Sequence, residues 1–188
     1  KQLLVADASG GIYAFDSLSG SKTWHQKEAH QGGLLAMAIH PSGNKFATAG
    51  QDGCVYIRNS DLGEPINCLE LGKGWVEHLK WSKDGCQLGV ANSRYVHVFD
   101  MDGKEQWCSG EHPSTVSAIS WSKPNELATA CYGRVTFYDV ANNKVNQKLE
   151  WQGSLVSMIL NPSGDIVACG SQDNSVHFWR RSTGHDAE

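Results

Sequence analysis

This 188-residue sequence predicts an all-β fold assembled from repeated four-stranded antiparallel units. Three observations carry that prediction. Short apolar runs with the alternating period of half-buried strands recur along the chain, with turn residues between them. Twenty glycines and seven tryptophans, against five prolines and three methionines, suit short strands joined by tight turns. The third observation is self-similarity: a turn followed by an alternating strand that ends in a large residue occurs five times.

Taken in order, the copies are ASGGIYAFD (8–16), GQDGCVYIRN (50–59), NSRYVHVFD (92–100), CYGRVTFYD (131–139) and GSQDNSVHFWRR (170–181). Their large residues, Phe15, Arg58, Phe99, Tyr138 and Trp179, recur at steps of 43, 41, 39 and 41. A second marker precedes the last four copies. LLAMAIHPSG, VEHLKWSKDG, VSAISWSKPN and LVSMILNPSG begin at Leu34, Val76, Val116 and Leu155, spaced 42, 40 and 39. KFATAG, CQLGVAN, ELATAC and DIVACG follow as second strands, and EPINCLEL, KEQWCS and KVNQKLEW read as more variable fourth strands. No segment has a helical period. Four short antiparallel strands in each period of about 40 residues is the pattern of a β-propeller blade.

This pattern divides the chain into a partial blade over 1–28, blades over 29–71, 72–111 and 112–151, and a partial blade over 152–188. The first partial blade begins at a second strand and the last stops after a third, giving 18 strands or about four and a half blades. The expectation is an arc of a larger ring whose open edges could self-associate.

The period, the HPSG-type turn, the ATAGQDG-type turn and the aromatic-Asp strand end resemble WD-repeat β-propellers over essentially the whole chain. The resemblance implies a ring typically closed by seven blades. It also implies a buried network of a His ahead of the first strand, a Ser/Thr on the second, an Asp in the turn and a Trp on the third. The second repeat supplies His30, Thr48 and Asp52, with Arg58 at the Trp position. The fourth supplies His112, Thr129 and Tyr138, with Tyr132 at the Asp position. The last has Asp173 and Trp179, but Trp151 and Cys169 stand where the His and Ser/Thr belong. In the third, Gly72, Val90 and Phe99 leave almost no polar network. These are degenerate repeats that should depend more on apolar packing. A buried carboxylate needs donors for its lone pairs, so Asp52 and Asp173 are expected to be structural rather than catalytic.

Composition narrows the function classes. A net charge of −4 with no dense Lys/Arg stripe argues against a nucleic-acid surface. No apolar stretch approaches the roughly 18 residues a membrane helix needs, and the first residues lack a signal-peptide core. The six cysteines form no CxxC and sit among strand-like neighbours, which suggests buried free thiols and a cytoplasmic setting. Eight histidines make no HxH or HExxH pairing, so no metal site is expected. Paired carboxylates, a phosphate loop and a GxSxG serine are also missing, so no catalytic residue and no cofactor are expected.

Loop position offers more. In a propeller the loops leading into first strands and the turns between second and third strands share one face. Here they are Gln31-Gly32-Gly33, Lys73-Gly74-Trp75, Pro113-Ser114-Thr115 and Gln152-Gly153-Ser154, with Gln51, Ser93-Arg94, Tyr132 and Gln172. Trp75, Arg94 and Tyr132 have the side chains that dominate contact hot spots, and Gln51 and Gln172 accompany them. The expected function is a non-catalytic platform for protein or peptide partners, an inference from what the resemblance implies. The alternatives are an enzymatic or ligand-binding propeller using the central channel, or a regulatory domain of a larger protein. The inner strands AMAI, HLKW, AISW and SMIL are mostly apolar, which counts against channel chemistry.

Overall fold

Sixteen strands and no helix are present among the described residues, 1–72 and 74–181, of the computed structural model. Lys73 and the end of the last partial unit, residues 182–188, lie outside the described residues. The strands β1 (Gln2–Ala6), β2 (Ile12–Asp16) and β3 (Lys22–Gln26) form a three-stranded antiparallel sheet. A four-stranded meander follows, made of β4 (Leu34–Ile39), β5 (Lys45–Gly50), β6 (Cys54–Asn59) and β7 (Pro65–Glu70). The next is β8 (Val76–Trp81), β9 (Gln87–Asn92), β10 (Tyr95–Asp100) and β11 (Glu105–Cys108).

The remaining strands join in one five-stranded sheet: β12 (Ala118–Lys123), β13 (Glu126–Asp139), β14 (Lys144–Leu160), β15 (Ile166–Ser171) and β16 (Val176–Arg180). Two of them serve twice. The first half of β13 pairs with β12 and its second half with β14, the chain turning at Tyr132-Gly133, where Gly133 has φ 83°. The first half of β14 pairs with β13 and the second with β15. One unit therefore closes and the next opens on the same unbroken strand. Divided by pairing, the described strands form units of three, four, four, four and three.

The core is a series of seams between neighbouring sheets rather than one central cluster. Ala47, Ala49, Val55 and Ile57 meet Leu79, Leu88, Val90 and Phe99 in one seam. Val96, Val98 and Trp107 meet Ile119, Trp121 and Leu127 in the next. Phe137 and Ala130 meet Leu155, Val167 and Cys169 in a third. Second strands lie mid-sheet and are covered on both faces, which is why they read KFATAG, QLGVAN and ELATAC: small residues let the sheets approach closely. Tryptophans then brace the inner strands across the seams. Trp81 Nε1 donates to the Ala38 carbonyl at 3.1 Å, and Trp121 Nε1 to that of Lys80 at 2.9 Å.

The cysteines depart from the expectation of burial. All six are free, but only Cys131 and Cys169 are buried, while Cys68, Cys86 and Cys108 are exposed. Cys68 and Cys108 lie on fourth strands, whose outer edge faces solvent, and Cys86 sits just after a tight turn.

Candidate interaction face

Antiparallel alternation places every loop into a first strand at the same end of its sheet as the turn between the second and third strands. Backbone bonds lock these pieces together. Within units, Gln51 N–H donates to the Gly33 carbonyl, Ser93 N–H to that of Trp75, and Gln172 N–H to that of Ser154. The Tyr132 N–H donates to Ser114 Oγ at 2.9 Å. Between units, Ala29 N–H donates to the Gly10 carbonyl and Val116 N–H to that of Ser93, while Leu71 N–H, at the end of the second unit, donates to the Gly53 carbonyl. Gln51, Trp75, Arg94, Tyr132 and Gln172 thus all lie on one interlocked face.

Gly53 marks how tight that interlock is. Its φ is 71°, and a Cβ there would lie 2.0 Å from the Gly72 carbonyl oxygen of the neighbouring loop. Gly53→Ala should therefore cost about 2–3 kcal/mol, from left-handed strain and backbone displacement, measurable by urea unfolding.

The five side chains differ in freedom. Trp75 and Tyr132 are 53% and 57% exposed, far more than aromatic residues engaged in a seam. Gln172 is exposed, whereas Gln51 is half-buried against Gly32 and Gly33. Arg94 is partly committed: its Nε donates to the His112 carbonyl at 2.8 Å and Nη1 pairs with Glu111 at 2.8 Å.

Beneath the face, two units hold buried polar chains. In the first, Arg58 Nε donates to Thr48 Oγ1 at 3.0 Å, Thr48 donates to His30 Nε2 at 2.9 Å, and His30 Nδ1–H donates to Asp52 at 3.0 Å. In the neutral ring Nδ1 carries the imidazole proton, because the ionised Asp52 carboxylate facing it can only accept, which leaves Nε2 bare to accept from the Thr48 hydroxyl. Burial pushes the His30 basicity down against the pull of Asp52, so the ring is neutral. Burial also opposes ionisation of Asp52, but hydrogen bonds from His30 and the Gln31 and Cys54 amides outweigh it and hold the carboxyl below its ordinary range. Arg58 stands where a Trp would donate one hydrogen bond, and it supplies three. Its other nitrogens reach the Gly63 and Ala29 carbonyls at 3.1 and 2.9 Å.

The second chain has no carboxylate. His112 Nδ1–H donates to the Arg94 carbonyl at 3.0 Å, leaving Nε2 to accept from Thr129 at 3.0 Å and Tyr138 at 3.2 Å. A backbone carbonyl does here what Asp52 does in the other unit, so Tyr132 at the Asp position is released to solvent. Burial keeps His112 neutral. Asp173 makes no such chain. It is exposed and caps its own turn through the Ser175 N–H at 3.0 Å. Trp151 fills the place of the histidine and packs on His177 and Trp179, the latter at 6.4 Å between ring centroids.

The inner strands border a cleft of about 460 Å³ lined by Leu35, Met37, Glu77, His78, Lys80 and Met158, among others. Alternation puts the polar residues of HLKW into it, so the cleft is less apolar than the run of letters suggests.

The family model of the WD domain, G-beta repeat, matches residues 21–59 and 144–180. Each match begins near a fourth strand and runs through the next three. WD repeat-containing protein 1 of Gallus gallus is 24% identical over 78% of the chain, and actin-interacting protein 1 of Drosophila melanogaster is 24% identical over 84%. The chain spans only 26% and 28% of those relatives. A chain in the crystal structure of the mitotic checkpoint complex superimposes with a TM-score of 0.88 at 19% identity, over 96% of this chain and 58% of that one.

Proposed function

Because the chain is a WD-repeat β-propeller with degenerate repeats, we propose that it acts as a non-catalytic platform for protein or peptide partners, with the interlocked loop face as its contact surface. The observation that carries this reading is the pair Trp75 and Tyr132, large aromatic side chains more than half exposed on a rigid scaffold. Amphipathic aromatics held this way lose little entropy on contact and dominate binding energy. Gln172 supplies hydrogen bonds beside them, Arg94 adds the N–H hydrogens left over from its bonds to the His112 and Pro113 carbonyls and Glu111, and Gln51 supports the loop beneath. The name of one relative records an interaction with actin, and the structural neighbour comes from a multi-protein complex, both in keeping with a platform. The six free thiols suit a reducing, cytoplasmic setting.

The test is affinity purification from cells with the intact protein, followed by titration of each partner recovered. Trp75→Ala and Tyr132→Ala should each weaken binding about tenfold or more. Both side chains are exposed, so thermal stability should hold. Partner affinities unchanged in both variants would remove this face from the site.

A further inference from the structure

The outer hairpin of the third unit carries a constellation that partner binding does not use. His97 on β10 and Cys108 on β11 are direct cross-strand partners. Side chains alternate along a strand, so Glu105 and Cys108, three positions apart, would ordinarily point to opposite faces. A register shift between Val98 and Phe99 pairs Phe99 with Glu105 and leaves Gln106 as the extra residue. That bulge returns Glu105 to the side of His97 and Cys108. As a result His97 Nδ1 lies 2.7 Å from Glu105 Oε1. A nitrogen, a carboxylate oxygen and the Cys108 sulfur all fall within 4.8 Å of one another.

Bonds of about 2.0–2.3 Å from one tetrahedral centre place ligand atoms roughly 3.3–3.8 Å apart, within reach of small side-chain adjustments. The His97 ring is held in place: only 18% of its side chain is exposed, and it stacks on Phe99 at 6.1 Å. The fold itself does not demand these residues. The equivalent cross-strand pairs are Tyr13 with His25, Tyr56 with Cys68, and Thr136 with Lys148.

We propose that His97, Glu105 and Cys108 bind one divalent cation of the zinc class, with a fourth position open to water. The mixed nitrogen, oxygen and sulfur donors select a borderline metal over calcium or magnesium, which take all-oxygen sets. The ion clips β11, the four-residue rim strand, to β10 and stabilises the unit by mass action.

The intact protein, reduced and stripped with a chelator, is titrated with Co²⁺ and then Zn²⁺. One equivalent of Co²⁺ should produce a thiolate-to-cobalt charge-transfer band, and Zn²⁺ should erase it. Cys108→Ser should abolish the band. His97→Gln and Glu105→Gln should each weaken Zn²⁺ binding about 100-fold or more, since even outer partners of ligands cost 10–100-fold. Cys68→Ser, which alters the equivalent rim thiol of the neighbouring hairpin, should change neither band nor affinity. Melting without metal checks that each variant folds, and Cys108 and Glu105 are exposed enough to be replaced safely. A wild-type protein with no band, a band that survives Cys108→Ser, or Zn²⁺ affinity unchanged in both His97→Gln and Glu105→Gln overturns the site.

Discussion

Arg181→Ala is expected to destabilise the protein by about 3–5 kcal/mol, because it strands a buried carboxylate. Glu126 opens β13 with its side chain only 2% exposed. Arg181 meets it with both terminal nitrogens, at 2.9 and 3.2 Å, and Asn146 Nδ2 adds a third bond at 2.8 Å. The guanidinium also donates to Gln147 and the Gly164 carbonyl and lies 3.7 Å over the Phe137 ring. Removing it leaves the carboxylate with the neutral donors Ser122 and Asn146, and the exposed Lys123 3.7 Å away.

Acid should expose the same pair. Burial pushes the Glu126 pKa up, but the bonds from Arg181, Ser122 and Asn146 outweigh it and bring the value from 4.5 down to about 2. A carboxyl with a lowered folded-state pKa contributes stability above its ordinary value and loses it as pH falls through the folded value. The wild type should thus lose about 3 kcal/mol from this group between pH 5 and pH 2, estimated at ~1.4 kcal/mol per pKa unit. Arg181→Ala should lose much less over that interval. Urea midpoints of both proteins at the two pH values measure the difference, and parallel losses would mean that Arg181 does not hold the carboxylate.

Arg58→Ala should have a comparable effect, about 2–4 kcal/mol, from a buried void and three acceptors left without their donor. In a chain of this size that lowers the melting temperature on the order of 10 °C. Arg58→Lys should recover little, since a single ammonium cannot reach Thr48, the Gly63 carbonyl and the Ala29 carbonyl together. A tryptophan there would meet Thr48 alone. Equal melting of Arg58→Lys and the wild type would show that charge, not fork geometry, is what the position needs.

The blade pattern was legible because its cause is periodic. Alternating runs and turn residues return every 40 residues or so, and the large residues from Phe15 to Trp179 all fall near the ends of third strands. What was not legible depends on register or distance. No local signal warns that β14 runs unbroken through Trp151 and Gln152 from one unit into the next. Arg58 looked like a defect in a tryptophan position until its three acceptors were in place. Glu126 reads as an ordinary charged strand residue, because its partner lies 55 positions away. Cys108 and His97 have no metal-like spacing, and only the bulge at Gln106 brings Glu105 beside them. Part of the loop face was legible by position, since turn residues name the loops. Which side chains stand free was not, because Arg94 is tied down by backbone carbonyls that sequence does not reveal.

Photo-crosslinking tests whether the loop face is the surface that meets partner proteins. A photoreactive amino acid is placed at Trp75 or Tyr132 on the loop face, and at Leu18 or Leu62 in turns at the opposite end of the sheets, 93% and 59% exposed. Covalent adducts with the same partner proteins are expected from Trp75 and Tyr132, and none of those partners from Leu18 and Leu62. Partners trapped from Leu18 and Leu62 but not from the loop face would contradict that expectation.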